Sequence, residues 1–246
     1  VQPLPEIRQF WDVDAATYDR SASHHPSTAL ARAAWARALE RLLPPPPSRV
    51  LDVGAGTGFL TLLAAGLGHR VTALDLSAQM LDRLRAKAAA AGLDVETVEA
   101  PADQPPDGGF DAVVERHLVW TLPDPAATLA RWREAAPTGR LVLFESSWGR
   151  AAHPGEAFKA RGREMVRRLR GVPSAHHGHY PGAVLAVLPY GSGITPGELV
   201  ELAESGGWPS TRIERLRDVE WAMTRGLPLP DRLLGATAPH YAVVAG

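Results

Sequence analysis

The 246-residue chain contains no cysteine, which excludes disulfide frameworks, thiolate metal sites and thiol nucleophiles and agrees with a reducing cytoplasm, its expected location. Its net charge is only −1 at neutral pH. The 26 basic side chains nearly cancel the 27 acidic ones, so no global field draws the chain to nucleic acid or to an anionic membrane. Long apolar runs are missing too: Gly, Asp or Arg interrupts each one well short of about 18 residues, and no membrane span is expected. The opening VQPLPEIRQF has no basic stretch followed by an apolar one, so no signal peptide is expected.

What is present is an alternation of short β-branched, apolar runs with helical spacing. RVLDVG (Arg49–Gly54) reads as a strand, and the FLTLLAAGLG that follows a glycine loop reads as a helix closed by glycine. RVTALDLS (Arg70–Ser77) is a second strand, and Ser77 caps a helix Ala78–Ala91 that Gly92 ends. Asp94–Ala100, Phe110–His117 and Arg140–Ser146 supply three more strands, with a helix begun by Asp124-Pro125 before the last of them. Thr195-Pro-Gly-Glu198 is a capping box, after which STRIERLRDVEWAM and HYAVVAG read as two further strands. This order predicts an α/β fold, a Rossmann-like, doubly wound, mostly parallel seven-stranded sheet with helices on both faces, its last strand antiparallel.

Two segments stand outside the alternation. Residues 1–47, which carry a helix Thr28–Leu43 ended by the proline run 44–47, form an N-terminal helical lid in this reading, and 148–194 an insertion after strand five. With 48–147 as the cofactor-binding half and 195–246 as the end of the sheet, the chain reads as one domain. Ligands of open α/β sheets lie beyond the carboxyl ends of the strands, where the insertion emerges. Both segments are therefore expected to cover a site.

The loop in LDVGAGTGFL, residues 51–60, brings Gly54, Gly56 and Gly58 into a G-x-G-x-G spacing that suits close backbone approach to a ligand. No Gly-Lys-Ser/Thr follows, so no lysine is placed to hold a phosphate as in a Walker loop. Asp75, about twenty positions on at the end of strand two, suits ribose hydroxyls in either a dinucleotide or an S-adenosylmethionine site. Asp52 separates the two. A carboxylate there would repel a pyrophosphate but attract the α-amino group of S-adenosylmethionine, although it could equally bond the loop's own N–H groups.

The chain resembles the class I S-adenosylmethionine-dependent methyltransferases over roughly residues 48–146. LDVGAGTG, ALDLSAQML, APADQPP with FDAVV, and GRLVLFE look like their successive motifs, and Phe10-Trp11-Asp12 with Ala16-Thr17-Tyr18-Asp19 looks like their cofactor-covering entry. APTGR stands where Pro-Gly-Gly is commoner, a departure at the turn before strand five. The resemblance implies that Gly54, Gly56 and Gly58 cradle the methionine and ribose portions of S-adenosylmethionine. It further implies that Asp75 binds both ribose hydroxyls, Asp103 meets the adenine amino group, Leu76 and Met80 sandwich the ring and Ala102 gives it a backbone contact. Arg116 and Tyr18 fall at the methionine end, with Asp52 beside the amino group.

Transfer of a methyl group asks the protein to align donor and acceptor, exclude water and free the acceptor's lone pair. His117 after strand four, and His176, His177 and His179 in the insertion, are the candidate bases. Glu115, Trp120, Glu145, Trp148 and Tyr180 are candidate acceptor contacts. The two glutamates favour an amine on a sugar-like small molecule of specialised metabolism, whereas the basic run Lys159–Arg170 leaves a phenolic or carboxylate acceptor open. No metal is expected, since the histidines have neither an HExxH spacing nor a Cys partner. No nucleic acid or membrane partner is expected either, and homodimerisation stays open. An RNA or protein methyltransferase, or a non-catalytic cofactor binder, is the remaining alternative.

Overall fold

The structure, a computed structural model, describes residues 4–21, 24–26, 28–147, 149, 161–162, 165, 180–226, 232 and 238–246. Its centre is a sheet of seven strands: β1 (Arg49–Val53), β2 (Arg70–Asp75), β3 (Glu96–Glu99), β4 (Ala112–Arg116), β5 (Arg140–Ser146), β6 (Arg212–Arg215) and β7 (His240–Ala245). They lie in the order β3-β2-β1-β4-β5-β7-β6. The pairings from β3 to β5 are parallel, and β7 runs antiparallel between β5 and β6. The strand order reverses between β1 and β4, which opens a crevice at their carboxyl ends.

Helices α1 (Leu4–Asp14), α2 (Ala29–Leu42), α3 (Phe59–Gly66), α4 (Ala78–Ala91), α5 (Pro125–Ala135), α6 (Gly182–Leu185), α7 (Pro196–Ser205) and α8 (Arg217–Arg225) surround the sheet. Side chains alternate across each strand, so β4 and β5 send Val113, Leu141 and Leu143 to one core with Leu129 and Trp132 of α5, Leu199 and Leu202 of α7, and Trp208. Val114, Val142 and Phe144 point the other way, against Trp35, Leu39 and Leu42 of α2, Leu60 of α3 and Val219 of α8. Burial on both faces explains the near-continuous apolar strands.

The local signals for helix ends are realised. Thr28 caps α2, Ser77 caps α4, Asp124 caps α5 ahead of its first-turn proline, and Thr195 with Glu198 closes the capping box of α7. Gly92 ends α4 in the left-handed region at φ 63°, where glycine has no steric penalty.

Two expectations are corrected. The run Ser210–Met223 is not one strand: β6 stops at Arg215, and α8 takes over from Arg217. Leu216, Val219 and Ala222 are all buried, a spacing of three that buries one side of a helix, whereas β6 is an edge strand with Ile213 half exposed. The second correction is α1, where no helix was expected. Its Ile7, Phe10 and Trp11 pack against Tyr180, Val184 and Leu188, and polar ties add to this, Ser77 Oγ donating to Asp12 Oδ1 at 2.5 Å and Arg8 pairing with Glu99 at 2.7 Å.

Candidate active site

The carboxyl end of β1 leads into the glycine loop, where Gly54 and Gly56 take positive φ values of 67° and 54°. The backbone N–H groups of Gly54 and Ala55 donate to the Leu74 carbonyl, tying the loop to the end of β2. Asp75 completes the tie. Its Oδ2 accepts from Gly56 N–H at 2.7 Å and its Oδ1 from Ser77 N–H at 2.8 Å. Burial pushes its carboxyl up to about 6, still ionised at neutral pH, and each oxygen retains a lone pair for a further donor.

Above this loop lies a cavity of about 270 Å³ lined by both ends of the switch point. Its wall includes Tyr18, Gly54, Gly56, Asp75, Leu76, Met80, Ala102, Asp103, Arg116 and His117, so ten of the residues singled out in the sequence meet there. A Cβ on Gly56 would face only the Tyr18 ring, 3.9 Å away, while one on Gly54 would strike Leu118 at 2.8 Å. The first glycine therefore admits the turn after β4, and the second leaves backbone bare toward the cavity. Gly58 serves packing: a Cβ there would lie 2.9 Å from Leu84.

At one end, Trp132 Nε1 donates to the Ala102 carbonyl at 2.7 Å and holds the strip that carries Asp103. At the other, Tyr18 covers the loop, its ring stacked on His24 at 4.0 Å, with burial pushing its hydroxyl up to about 12. Arg116, at the end of β4, lays its guanidinium 4.0 Å from the centre of the Phe59 ring. Burial holds its pKa down, against the pull of Tyr18, Glu145, Glu115 and Asp52.

His117 follows in the left-handed region at φ 58°, an uncommon conformation for a residue with a Cβ and one that recurs at functional sites. Burial, followed by the charge of Arg116 and the neighbouring His240, holds its imidazole well below the usual range. It is neutral at physiological pH, with a lone pair to offer.

Several residues sit elsewhere. Asp52 is absent from the cavity wall; its Oδ2 accepts from Thr61 Oγ1 at 2.5 Å beneath the loop, and burial pushes its carboxyl up to about 7. Alternation along β1 turns it toward α3, so it braces the loop's helix. Glu115 and Glu145 also lie off the cavity wall, fully buried on the sheet face toward α5 and α7. Trp120 and Tyr180 pack on each other at 5.4 Å and, with Ile7, Phe10, Trp11, Val184 and Leu188, join α1 to α6. Trp148, His176, His177, His179 and the run Lys159–Arg170, apart from parts of 161, 162 and 165, lie outside the described residues.

The structure also gives contacts to residues for which the sequence reading had assigned no role of their own. Trp11, Thr121 and Leu122 line the cavity. Asp19 bonds Thr57 Oγ1 at 2.7 Å and Lys87 at 2.6 Å, clipping the segment after α1 to the glycine loop and to α4. Trp11 and Asp19 fall inside the entry motif; for Lys87, 68 residues from its partner, no local signal exists.

Fold and site together are those of an α/β protein with a cavity at the switch point of its sheet, a bare glycine backbone on one wall and the Asp75 carboxylate at the end of β2. Comparison with known proteins narrows this. A family described as methyltransferase domain matches residues 50–139. Demethylmenaquinone methyltransferase of Thermus thermophilus is 34% identical over 149 residues, 58% of this chain and 68% of that one. Ubiquinone biosynthesis O-methyltransferase of Xanthomonas campestris is 30% identical over 205 residues, 81% of this chain and 76% of that one. The chain belongs to the class I S-adenosylmethionine-dependent methyltransferases.

Solved structures share the fold. Magnesium protoporphyrin IX methyltransferase from Synechocystis, with bound S-adenosylhomocysteine, covers 99% of each chain with a TM-score of 0.61 at 13% identity. A Haemonchus contortus phosphoethanolamine N-methyltransferase superposes with a TM-score of 0.62 at 16% identity, over 97% of this chain and 59% of that one.

The residues present suit S-adenosylmethionine, the cofactor of the family. Asp75 has free lone pairs where ribose hydroxyls would donate, and Gly56 leaves room beside them.

Proposed function

We propose that this protein transfers a methyl group from S-adenosylmethionine to a hydroxyl of a small molecule of phenolic or quinol type. The observation that carries the reading is the Arg116–His117 pair at the end of β4. Both line the cavity, and between them they offer a fixed positive charge and an unprotonated base. Glu115 and Glu145, which favoured an amine, are buried and do not line the cavity. The relative named as a ubiquinone biosynthesis O-methyltransferase supports a hydroxyl acceptor.

In this reading Asp75 holds the ribose, Asp103 and Ala102 the adenine edge, Leu76 and Met80 the ring faces, and Tyr18 and Arg116 the methionine end. The bound cofactor supplies an electrophilic methyl on a sulfonium. The chain's residues do the rest. Tyr18 and Trp11 exclude water, Arg116 stabilises negative charge growing on the acceptor oxygen, and His117 takes the hydroxyl proton at a ring nitrogen as the oxygen attacks. Residues 1–47 and 148–194 act as the cover in this reading, most of 148–179 lying outside the described residues. His176, His177, His179, Trp148 and Tyr180 then belong to the acceptor's surroundings.

The test is product analysis by mass spectrometry with parallel panels of catechols and quinols, sugars and primary amines. Methylation confined to the amines would overturn the hydroxyl reading. His117→Gln is expected to lower kcat about 10²–10⁴-fold, the usual contribution of a positioned base, while the Kd of S-adenosylhomocysteine stays unchanged. Because His117 is held below its ordinary value of 6.5, the acid limb of wild-type kcat should lie below pH 6.5 and be absent from the variant.

A further inference from the structure

Arg116 carries a long, flexible side chain at the last position of β4, yet its guanidinium is seated on aromatic rings. Its central carbon lies 4.0 Å from the centre of the Phe59 ring and 5.6 Å from that of Trp35. The two rings meet edge to face, with centroids 5.0 Å apart and planes at 84°. Trp35 rests in turn on Phe144 of β5 at 5.5 Å. Trp35 belongs to α2 and is only 1% exposed, while Phe59 is the first residue of α3, directly after Gly58 of the glycine loop. Arg116 lines the cavity and neither ring does, so the rings back the cation without forming the wall themselves.

We infer that Phe59, braced by Trp35, is the seat that positions the Arg116 guanidinium at the methionine end of the cavity. An aromatic face attracts a cation through its quadrupole, most strongly where water is excluded, and the burial of Arg116 is deep enough to hold its pKa down. The seat takes the charge without a carbonyl or carboxylate acceptor, and so spends none of the five guanidinium N–H donors. Those donors suit an anionic group such as the carboxylate of a bound cofactor. A seated side chain also has less rotamer freedom left to lose when a ligand arrives. Because Phe59 opens α3 immediately after the loop, the backbone exposed to the cavity and the charge that faces it are held to each other. Phe59 and Trp35 are thereby positioning residues, acting through Arg116.

The consequence for binding rests on the role proposed for Arg116, but the seat itself is read without any ligand. A proton above a ring face is shielded by the ring current. In the ligand-free wild type the Arg116 Nε–Hε resonance should therefore lie upfield of those of exposed arginines, and Phe59→Leu should return it downfield. An unshifted resonance in the wild type overturns the inference, even if a variant fails to fold.

Binding is read by titrating S-adenosylhomocysteine in a double-mutant cycle. Phe59→Leu keeps an apolar side chain and removes the ring; it should raise Kd about three- to thirtyfold. Phe59→Tyr, which retains the ring face, should stay within about twofold of wild type. In an Arg116→Met background, Phe59→Leu should change Kd less than about twofold. An equal rise in both backgrounds would make Phe59 a packing residue alone and overturn the positioning role, leaving that of Arg116 intact. If Arg116→Met itself changed neither Kd nor kcat, the role of Arg116 would fail and the positioning role with it, although the wild-type resonance stayed shifted.

Discussion

Replacing Asp75 by alanine tests the ribose assignment most directly. In the free protein its carboxylate accepts from Gly56 N–H at 2.7 Å and Ser77 N–H at 2.8 Å, and in the proposed complex it accepts from two ribose hydroxyls as well. Hydrogen bonds to a charged group contribute about 1.5–3 kcal/mol each, and water competes for both partners once the side chain is gone. Counting half of the gross value leaves about 1.5–3 kcal/mol, or a rise in Kd of roughly 10- to 100-fold at 1.4 kcal/mol per decade. Asn should do little better, because its NH₂ turns one of the two accepting positions into a donor facing a donor. Isothermal titration of S-adenosylhomocysteine into folded wild type and variants measures the effect.

The pH dependence sharpens the test. Asp75 titrates at about 6 in the free protein, and bound hydroxyl donors favour its ionised form. Wild-type affinity should therefore weaken as pH falls through 6 and converge on that of the Asn variant. A variant that binds within twofold of wild type at pH 8 would refute the assignment.

Two more perturbations follow from the geometry. Trp132→Phe leaves the half-buried Ala102 carbonyl without the 2.7 Å bond from Nε1; loss of one hydrogen bond costs about 0.5–1.5 kcal/mol, seen as a drop in Tm of roughly 2–4 °C per kcal/mol for a chain of this size. Cofactor affinity should fall with it, and unchanged Tm and Kd would mean that the Ala102–Asp103 strip is held by other contacts. Asp19→Asn removes the charge that meets Lys87 at 2.6 Å. Since that pair is about one-third exposed, with side-chain accessibilities of 31% and 35%, its loss should cost under about 1 kcal/mol. The measured result should be a two- to fivefold faster release of S-adenosylhomocysteine in stopped flow, diminished at high salt; equal rates would show that the clip does not gate the site.

The sequence by itself determined the sheet, and its motif resemblance the cofactor, whereas Asp52, read as the residue separating that cofactor from a dinucleotide, turns out to lie off the cavity wall. Period-two and period-3.6 patterns, proline at first turns, and Thr or Ser caps are local effects acting within a few residues, so Ala78–Ala91, β5 and the capping box at Thr195 could be read without the fold. The glycine loop and Asp75 were legible for the same reason, since both sit at strand ends that the alternation marks. Where a local signal was overruled, as at Ser210–Met223, burial of Leu216, Val219 and Ala222 against the sheet decided for helix.

Only the tertiary structure decided which charged side chains meet the cavity. Asp52, Glu115 and Arg116 all end strands, and sequence position alone does not separate them. Strand alternation and register turn Arg116 toward Phe59, Asp52 toward Thr61 and Glu115 toward Leu118. The Asp19–Lys87 clip and the seat of Arg116 on Phe59 join residues far apart in the chain, and electrostatic contact between such groups depends on a distance that folding alone sets.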